Sequence, residues 1–332
     1  MHPGLRLNLR LNPYLGRAIA GLVVLALALS ACASATGTAA PRPTTAVSSD
    51  GLTSDGATPI DSGPPLAVLG TENFYADLLA QIGGSRVAAT SLINDPNADP
   101  HAFESSPQAA AAVADARLVI LNGLGYDDFM QKLLGASTKP DRVVIDVQQL
   151  LGLADDVNVH VWYDPTTMPR VAAAATDALR TLDPANAAYF AAREQAYLAA
   201  LNTIADTIAA LKGTYAGTPI AFTENVAGYL TDQIGLVVRT PAGFMKAVEE
   251  GIDPAPADVA AERDLFTGKT VRVLLYNSQV TSPTTEAIHD LATENGIPIV
   301  GVAETIPPEY RTYQEWQLAE LSELGQALAK TP

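Results

Sequence analysis

The sequence predicts an α/β protein of two doubly wound parallel-sheet lobes joined by one long α-helix. Three observations predict it. Short apolar, β-branched runs alternate with helical stretches over residues 66–145. The alternation then stops for an Ala- and Leu-rich segment, Pro165–Lys212, that has no glycine. It resumes at residue 219 and continues almost to the end. Alternating strand and helix patterns are those of a parallel sheet covered by its crossover helices.

Each element follows from its local pattern. Leu66–Leu69, Val87–Ser91, Leu118–Leu121 and Val143–Ile145 read as strands, with helices over Glu72–Ile82, Pro107–Ala114 and Asp127–Leu134. The Ala-rich segment is broken once, at Asp183-Pro184, which reads as an N-cap and a first helical residue. The piece from Pro184 to Lys212 would be a helix of roughly 40 Å at about 1.5 Å per residue, enough to span a small domain. Gly213 and Gly217 end it. Pro219–Thr223, Leu236–Arg239, Val271–Tyr276 and Ile297–Val302 then read as strands, and Val226–Ile234, Ala257–Phe266, Thr284–Glu294 and Tyr313–Leu328 as helices. The expected organisation is an N-terminal lobe over residues 66–182, a connecting helix over 183–217 and a C-terminal lobe over 218–330. In open parallel sheets a small-molecule site is expected between such lobes, at the carboxyl ends of strands.

Composition narrows the function. The chain has 332 residues and a formal charge of −16, from 20 Lys plus Arg against 36 Asp plus Glu. Such a surface repels phosphates instead of displacing their counterions, which argues against nucleic acid as a partner. The single Cys excludes an intrachain disulfide framework and Cys-based zinc sites. That Cys is informative by position. Arg6, Arg10 and Arg17 precede an uncharged apolar run, Ala18–Leu29, followed by Leu29-Ser30-Ala31-Cys32. Residues 1–31 read as a secretory signal, with Cys32 where a bacterial lipobox places its lipidated Cys. Cleavage would remove three Arg and no acid, taking the charge from −16 to −19. Residues 32–65, rich in Ala, Thr, Ser, Pro and Gly, read as a disordered tether reaching on the order of 30 Å from the membrane. The body is then extracytoplasmic and held to the membrane by its lipid anchor.

Nucleotide motifs are incomplete. Gly123-Leu-Gly125 lacks the third glycine of a dinucleotide fingerprint, and Gly268-Lys269-Thr270 lacks the first glycine of a P-loop, so both read as turns. No Gly-x-Ser-x-Gly elbow is present. Residues able to hold a metal are more telling. Beyond the leader the chain keeps His101, His160 and His289. His101 and His160 lie in loops, Glu224 directly follows the 219–223 strand and Glu304 lies just past the 297–302 strand, after Ala303. Two imidazoles and two carboxylates form a sensible donor set for a divalent first-row metal. His289, inside an expected helix beside Asp290, reads as a surface histidine, and Trp162 and Trp316 as packing residues. Asn277, at the end of the 271–276 strand, is a candidate outer partner of the ligands.

The motifs carrying a family likeness are Gln81-Ile-Gly-Gly84, Asp99-Pro-His101, Ala116-Arg-Leu-Val-Ile-Leu-Asn122-Gly-Leu-Gly125, His160-Val-Trp-Tyr-Asp164-Pro165, Thr223-Glu224-Asn-Val-Ala-Gly-Tyr229-Leu and Gly296-Ile-Pro-Ile. Over about Leu66–Leu328 the sequence resembles the solute-binding lipoproteins of zinc- and manganese-type metal ABC importers, solute-binding protein family 9, cluster A-I. The resemblance implies a rigid connecting helix and a metal in the cleft between lobes, held by one ligand from each of four loops. Carried over, these are His101, His160, Glu224 and Glu304. It also implies delivery to an ABC membrane permease, no catalytic residues, and a monomer. The third ligand position, often His in the family, is Glu224 here, a variant common among manganese-type members, and the sequence departs further at three places. Glu304 stands where Asp is usual, Asn158-Val159 replaces an Asp-Pro before the second His, and the histidine-rich loop of many zinc-type members is absent.

The donor set suits Mn²⁺, Zn²⁺ or Fe²⁺ and not Cu⁺, which prefers sulfur. Glu at the third position leans the reading to manganese, because bidentate carboxylates raise coordination number; intrinsic affinity favours zinc. Two other classes stay open on the residues alone. An exported metal-dependent hydrolase would keep an open, water-bearing position, with Glu304 as general base. A siderophore or adhesion binder would need an aromatic-lined cleft, and aromatic content is only 6%.

Overall fold

The computed structural model describes residues 58–96 and 100–330. The leader over 1–31, Cys32, the tether as far as residue 57, and Asp99 of the Asp-Pro-His motif lie outside the described residues.

The first lobe is a sheet of β1 (Leu66–Glu72), β2 (Val87–Ile93), β3 (Leu118–Leu121) and β4 (Val143–Asp146), in spatial order β2-β1-β3-β4. The second is β5 (Pro219–Phe222), β6 (Val237–Val238), β7 (Leu274–Asn277) and β8 (Ile299–Val302), in order β6-β5-β7-β8. All the pairings are parallel. The lobes therefore share one strand order. Each has a switch point, between β1 and β3 and between β5 and β7, where the winding reverses and a crevice opens at the strand ends. β3, Leu-Val-Ile-Leu, is buried along its whole length, as a strand covered by helices on both faces must be.

The first lobe carries α1 (Asn73–Gly83), α2 (Pro107–Asp115), α3 (Phe129–Ala136), α4 (Val147–Leu151) and α5 (Thr167–Leu182). The connecting helix is α6 (Ala187–Tyr215). The second lobe carries α7 (Gly228–Ile234), α8 (Ala242–Glu249), α9 (Pro256–Thr267), α10 (Pro283–Glu294) and α11 (Tyr313–Ala329). Local signals start several of them. Ser106 accepts from the Ala109 N–H ahead of Pro107, and Ser282 with Thr285 forms a reciprocal capping box ahead of Pro283. Gly235 stops α7 in the left-handed region (φ 80°), where a Cβ would be strained.

Several local expectations are corrected. Glu72 ends β1 and does not start α1. Asp183 does not cap the long helix. A 3₁₀ turn, Pro184–Asn186, intervenes, and the Asp183 carboxylate instead accepts from Arg86 (3.2 Å), Ser62 (2.9 Å) and Asn186 (2.8 Å). Gly213 does not end α6, which runs on to Tyr215 despite the roughly 1 kcal/mol cost of a helical glycine. α8 has no counterpart among the expected elements. It lacks a side-chain cap and is held by burial of Phe244, Ala247 and Val248. Residues 60–63, at the end of the stretch read as a tether, are hydrogen-bonded to the body: Ile60 exchanges bonds with the Asn186 side chain, and Arg86 donates to Ser62 and to the Gly63 carbonyl.

The lobes share one core. α6 packs on α1 and α5 of the first lobe and on α7 and α11 of the second. α11 also returns to the first lobe. The Tyr313 N–H donates to Asp77 (2.9 Å), its hydroxyl donates to the Trp162 carbonyl (2.6 Å), and Gln314 pairs with Gln81. Asn73 bonds both the N–H and the carbonyl of Ile306. A hinge between lobes would have to break these buried polar bonds along with the core, which is the physical content of a stiff connection.

One buried acid makes stability depend on pH. Glu262 on α9 is fully buried, with one oxygen accepting from Thr240 (3.3 Å) and the other without a hydrogen-bond partner. Burial pushes its carboxyl up from 4.5 to about 8. Its neutral form suits the fold, so the stability is full below pH 4.5 and is lost as pH rises towards 8. Glu262→Gln is expected to stabilise the protein at pH 8 by on the order of 2–5 kcal/mol, at about 1.4 kcal/mol per pKa unit, and not at pH 4.5. Urea unfolding at both pH values checks this. Equal effects at the two would show that the titration of Glu262 is not the cause.

Candidate metal centre

Four loops converge where the carboxyl ends of the two sheets face each other. His101 sits in a 3₁₀ turn (Pro100–Ala102) beyond β2, and His160 leads into a second 3₁₀ turn (Val161–Tyr163). Glu224 lies just beyond β5 at the second lobe's switch point, and Glu304 just beyond β8. Nε2 of His101 is 3.5 Å from Glu224 Oε1 and 3.3 Å from Glu304 Oε2, and Nε2 of His160 makes the same two distances. One donor atom from each residue lies within 4.8 Å of the other three. His160, Glu224 and Glu304 are wholly buried, while the His101 side chain is 20% exposed and forms the outer edge.

The surrounding residues aim these donors. Asn158 Oδ1 accepts from the His160 backbone N–H (3.1 Å) and lies 2.8 Å from its Nδ1, so Nδ1 carries a proton and Nε2 faces the centre. The Asn158 amide donates to the Asn225 carbonyl (2.7 Å), tying the His160 loop to the Glu224 loop. Tyr126 donates to Glu304 Oε2 (3.0 Å), and its ring stands edge-on to both imidazoles. Gln279 Oε1 accepts from the Glu304 N–H (2.6 Å) and the Thr305 N–H (3.3 Å), fixing the backbone that carries the carboxylate. Trp162, fully buried, stacks on Phe74 at 4.6 Å and meets His160 in a T-shaped contact at 5.2 Å, closing the floor.

The electrostatics are those of a cation site. Burial, then the charge of Glu304 beside it, raise the Glu224 carboxyl above its usual range. Burial acts the same way on Glu304, but hydrogen bonds from His101 and His160 outweigh it and hold that carboxyl well below the usual range. Burial alone would depress His101; bonds to Glu224 and Glu304 overcome it and raise it to about 11. Two buried carboxylates confronting each other need positive charge between them. Glu224 Oε1, buried, faces inward, 3.5 Å from Nε2 of both imidazoles. The donor chemistry fits a divalent cation, which would take the place of the imidazole protons.

All four residues singled out from the sequence are brought together. Glu224 does not cap α7, which starts at Gly228 with no side-chain cap. Glu304 reaches the group despite being a methylene longer than the usual Asp. Asn277 is wholly buried and donates to both Glu224 Oε2 and Glu304 Oε1 at 2.7 Å. His289 is exposed on α10, its ring against Tyr276, apart from the four. Sequence reasoning did not single out Asn158, Tyr126 or Gln279. Asn158 carried a signal, since a side-chain carbonyl two residues before a candidate ligand can bond its ring. Nothing local marked the other two.

The profile of the family described as zinc-uptake complex component A, periplasmic (ZnuA), matches residues 68–327. The chain belongs to this family. Among curated relatives, the manganese-binding lipoprotein MntA of Halalkalibacterium halodurans is 26% identical over 153 residues, 45% of this chain and 50% of that protein. A putative metal-binding protein of Thermotoga maritima is 33% identical over 98 residues, 30% of this chain and 34% of that one. The chain thus spans half or less of the length of the curated relatives it matches. Solved structures align over nearly all of their length. The periplasmic zinc-binding protein TroA of Treponema pallidum has a TM-score of 0.68 at 20% identity, covering 81% of this chain and 100% of that one. FpvC of Pseudomonas aeruginosa, in complex with Mn²⁺, has a TM-score of 0.65 at 23% identity, covering 80% and 98%. These likenesses show the ZnuA-family fold, two parallel-sheet α/β lobes with a long helix between them.

Proposed function

We propose that this chain captures a divalent transition metal, zinc or manganese with iron as a further candidate, outside the cytoplasm and delivers it to an ABC permease. The observation that carries the reading is the convergence of His101, His160, Glu224 and Glu304 on one buried point, with their inward N and O atoms 3.3–3.5 Å apart. Membership of the ZnuA family supports it, as do the metal-binding descriptions of MntA, TroA and FpvC. The metal is cargo. It enters past His101, the one donor with exposure, by movement of that loop, because the cross-lobe bonds resist a wide hinge. Four donors converging on one buried point support binding over catalysis. Residues 1–31 act as a lipoprotein signal, Cys32 as the lipid attachment and the following segment as the tether of a monomeric body, as the leader pattern supports.

The test is metal content. The full chain in detergent is equilibrated with an equimolar mixture of Mn²⁺, Fe²⁺, Co²⁺, Ni²⁺ and Zn²⁺, desalted and analysed by mass spectrometry. The expected result is a single tightly held ion per chain, lost in His101→Ala and Glu224→Ala. Substoichiometric metal in the unmutated protein would sink the reading.

A further inference from the structure

We propose that Asn277 acts as a clamp that limits each site carboxylate to one inward oxygen, biasing the centre towards a four-coordinate ion such as zinc and away from manganese. The inference rests on the metal-capture reading and concerns its specificity. Asn277 spends both amide hydrogens on the site, one on Glu224 Oε2 and one on Glu304 Oε1, each at 2.7 Å. These are the two oxygens that do not face the imidazoles. The facing ones are Glu224 Oε1 and Glu304 Oε2.

The amide cannot turn round. Its Oδ1 accepts from the Gln279 N–H (3.0 Å), and its own backbone N–H donates to Thr223 Oγ1 (3.0 Å). The hydrogen-bond partners thus set which end of the amide faces the carboxylates. Asn277, Glu224 and Glu304 are all wholly buried, so no solvent stands by to replace the bonds. A carboxylate that became bidentate would have to give up its bond to Asn277 and leave a buried donor unpaired, a costly exchange.

Two imidazole nitrogens and two single oxygens make four donors. Four is the number zinc takes, at about 2.0–2.1 Å, whereas manganese favours six, mostly oxygen. A tetrahedron with such bonds has six edges of roughly 3.3–3.4 Å; the four N···O separations here are 3.3–3.5 Å, and all the donor atoms lie within 4.8 Å of one another. Tyr126 adds to the restriction by donating to Glu304 Oε2, the inward oxygen itself (3.0 Å).

The experiment uses the full chain in detergent, with Co²⁺ as a spectroscopic probe and a zinc–manganese competition titration, on the unmutated protein and on Asn277→Ala and Asn277→Leu. The leucine variant removes both donors with little change in volume. Expected are intense visible bands of four-coordinate Co²⁺ in the unmutated protein. In either variant the bands weaken and the preference for zinc over manganese falls at least tenfold. Weak, six-coordinate Co²⁺ bands in the unmutated protein would overturn the proposal whether or not the variants fold. So would variants that bind with unchanged preference and unchanged spectrum. An unmutated protein that takes up Mn²⁺ alone would overturn the clamp and leave the capture reading standing, and one that takes up none of Co²⁺, Zn²⁺ and Mn²⁺ would overturn both.

Discussion

Saturating zinc is expected to raise the thermal unfolding midpoint by about 8 °C, and His160→Ala to erase that shift. An ion held only by the folded state, at a thousand times its dissociation constant, stabilises by about 4 kcal/mol. For a body of this size each kcal/mol is worth about 2 °C. His160 is the right target because it is wholly buried and its Nε2 faces both carboxylates at 3.3 and 3.5 Å. Its removal leaves three donors and two buried acids with one imidazole between them. The shift should also shrink as pH falls. In the empty site His101 holds its proton up to about pH 11, and a metal must expel it. Apparent affinity therefore drops about tenfold per pH unit for each proton released, about 1.4 kcal/mol. Differential scanning calorimetry with and without zinc, at two pH values, checks both statements. A zinc shift that survives in His160→Ala would remove that residue from the ligand set.

Trp162→Ala is expected to cost about 3–5 kcal/mol of folding stability, the usual toll of deleting a large buried aromatic ring. The ring stacks on Phe74 (4.6 Å) and meets Tyr126 (5.1 Å), His160 (5.2 Å) and Tyr163 (6.2 Å). It is therefore both first-lobe core and floor of the site, and its loss lets His160 turn as well as leaving a cavity. Trp162→Phe should cost less than half as much. The indole N–H is buried with no hydrogen-bond partner, so phenylalanine forfeits no bond there and keeps an aromatic face. Urea denaturation measures the stabilities, and the zinc-dependent shift reports on the site. A small cost in Trp162→Ala would mean the floor can collapse onto the gap.

Much of the fold was legible because its elements are locally encoded. The β3 and β4 runs are continuous and apolar, and Pro with a preceding Ser announces α2 and α10. α8 was not legible, since its burial is supplied by neighbours distant in sequence. The start of α6 was misread at Asp183 for a related reason. Asp before Pro is a good cap by local rules, but Arg86 and Ser62, remote in the chain, claim its oxygens. At the centre, the four donors were visible as residue types at loop positions, helped by motifs shared with a known family. Asn158 looked like a departure from that family's pattern, yet its side chain fills the hydrogen-bonding role at the His160 ring.

By itself the sequence determined the periodicities and the donor chemistry. It set alternating strands and helices, one helix long enough to span a lobe, and two imidazoles with two carboxylates and no sulfur. Those are properties of residues and their near neighbours. Only the tertiary structure decided that the four donors meet, which oxygen of each carboxylate faces inward, and that Asn277 holds the other two. Orientation of a buried side chain is set by hydrogen bonds from strands and loops far apart in the chain. No local pattern carries that information.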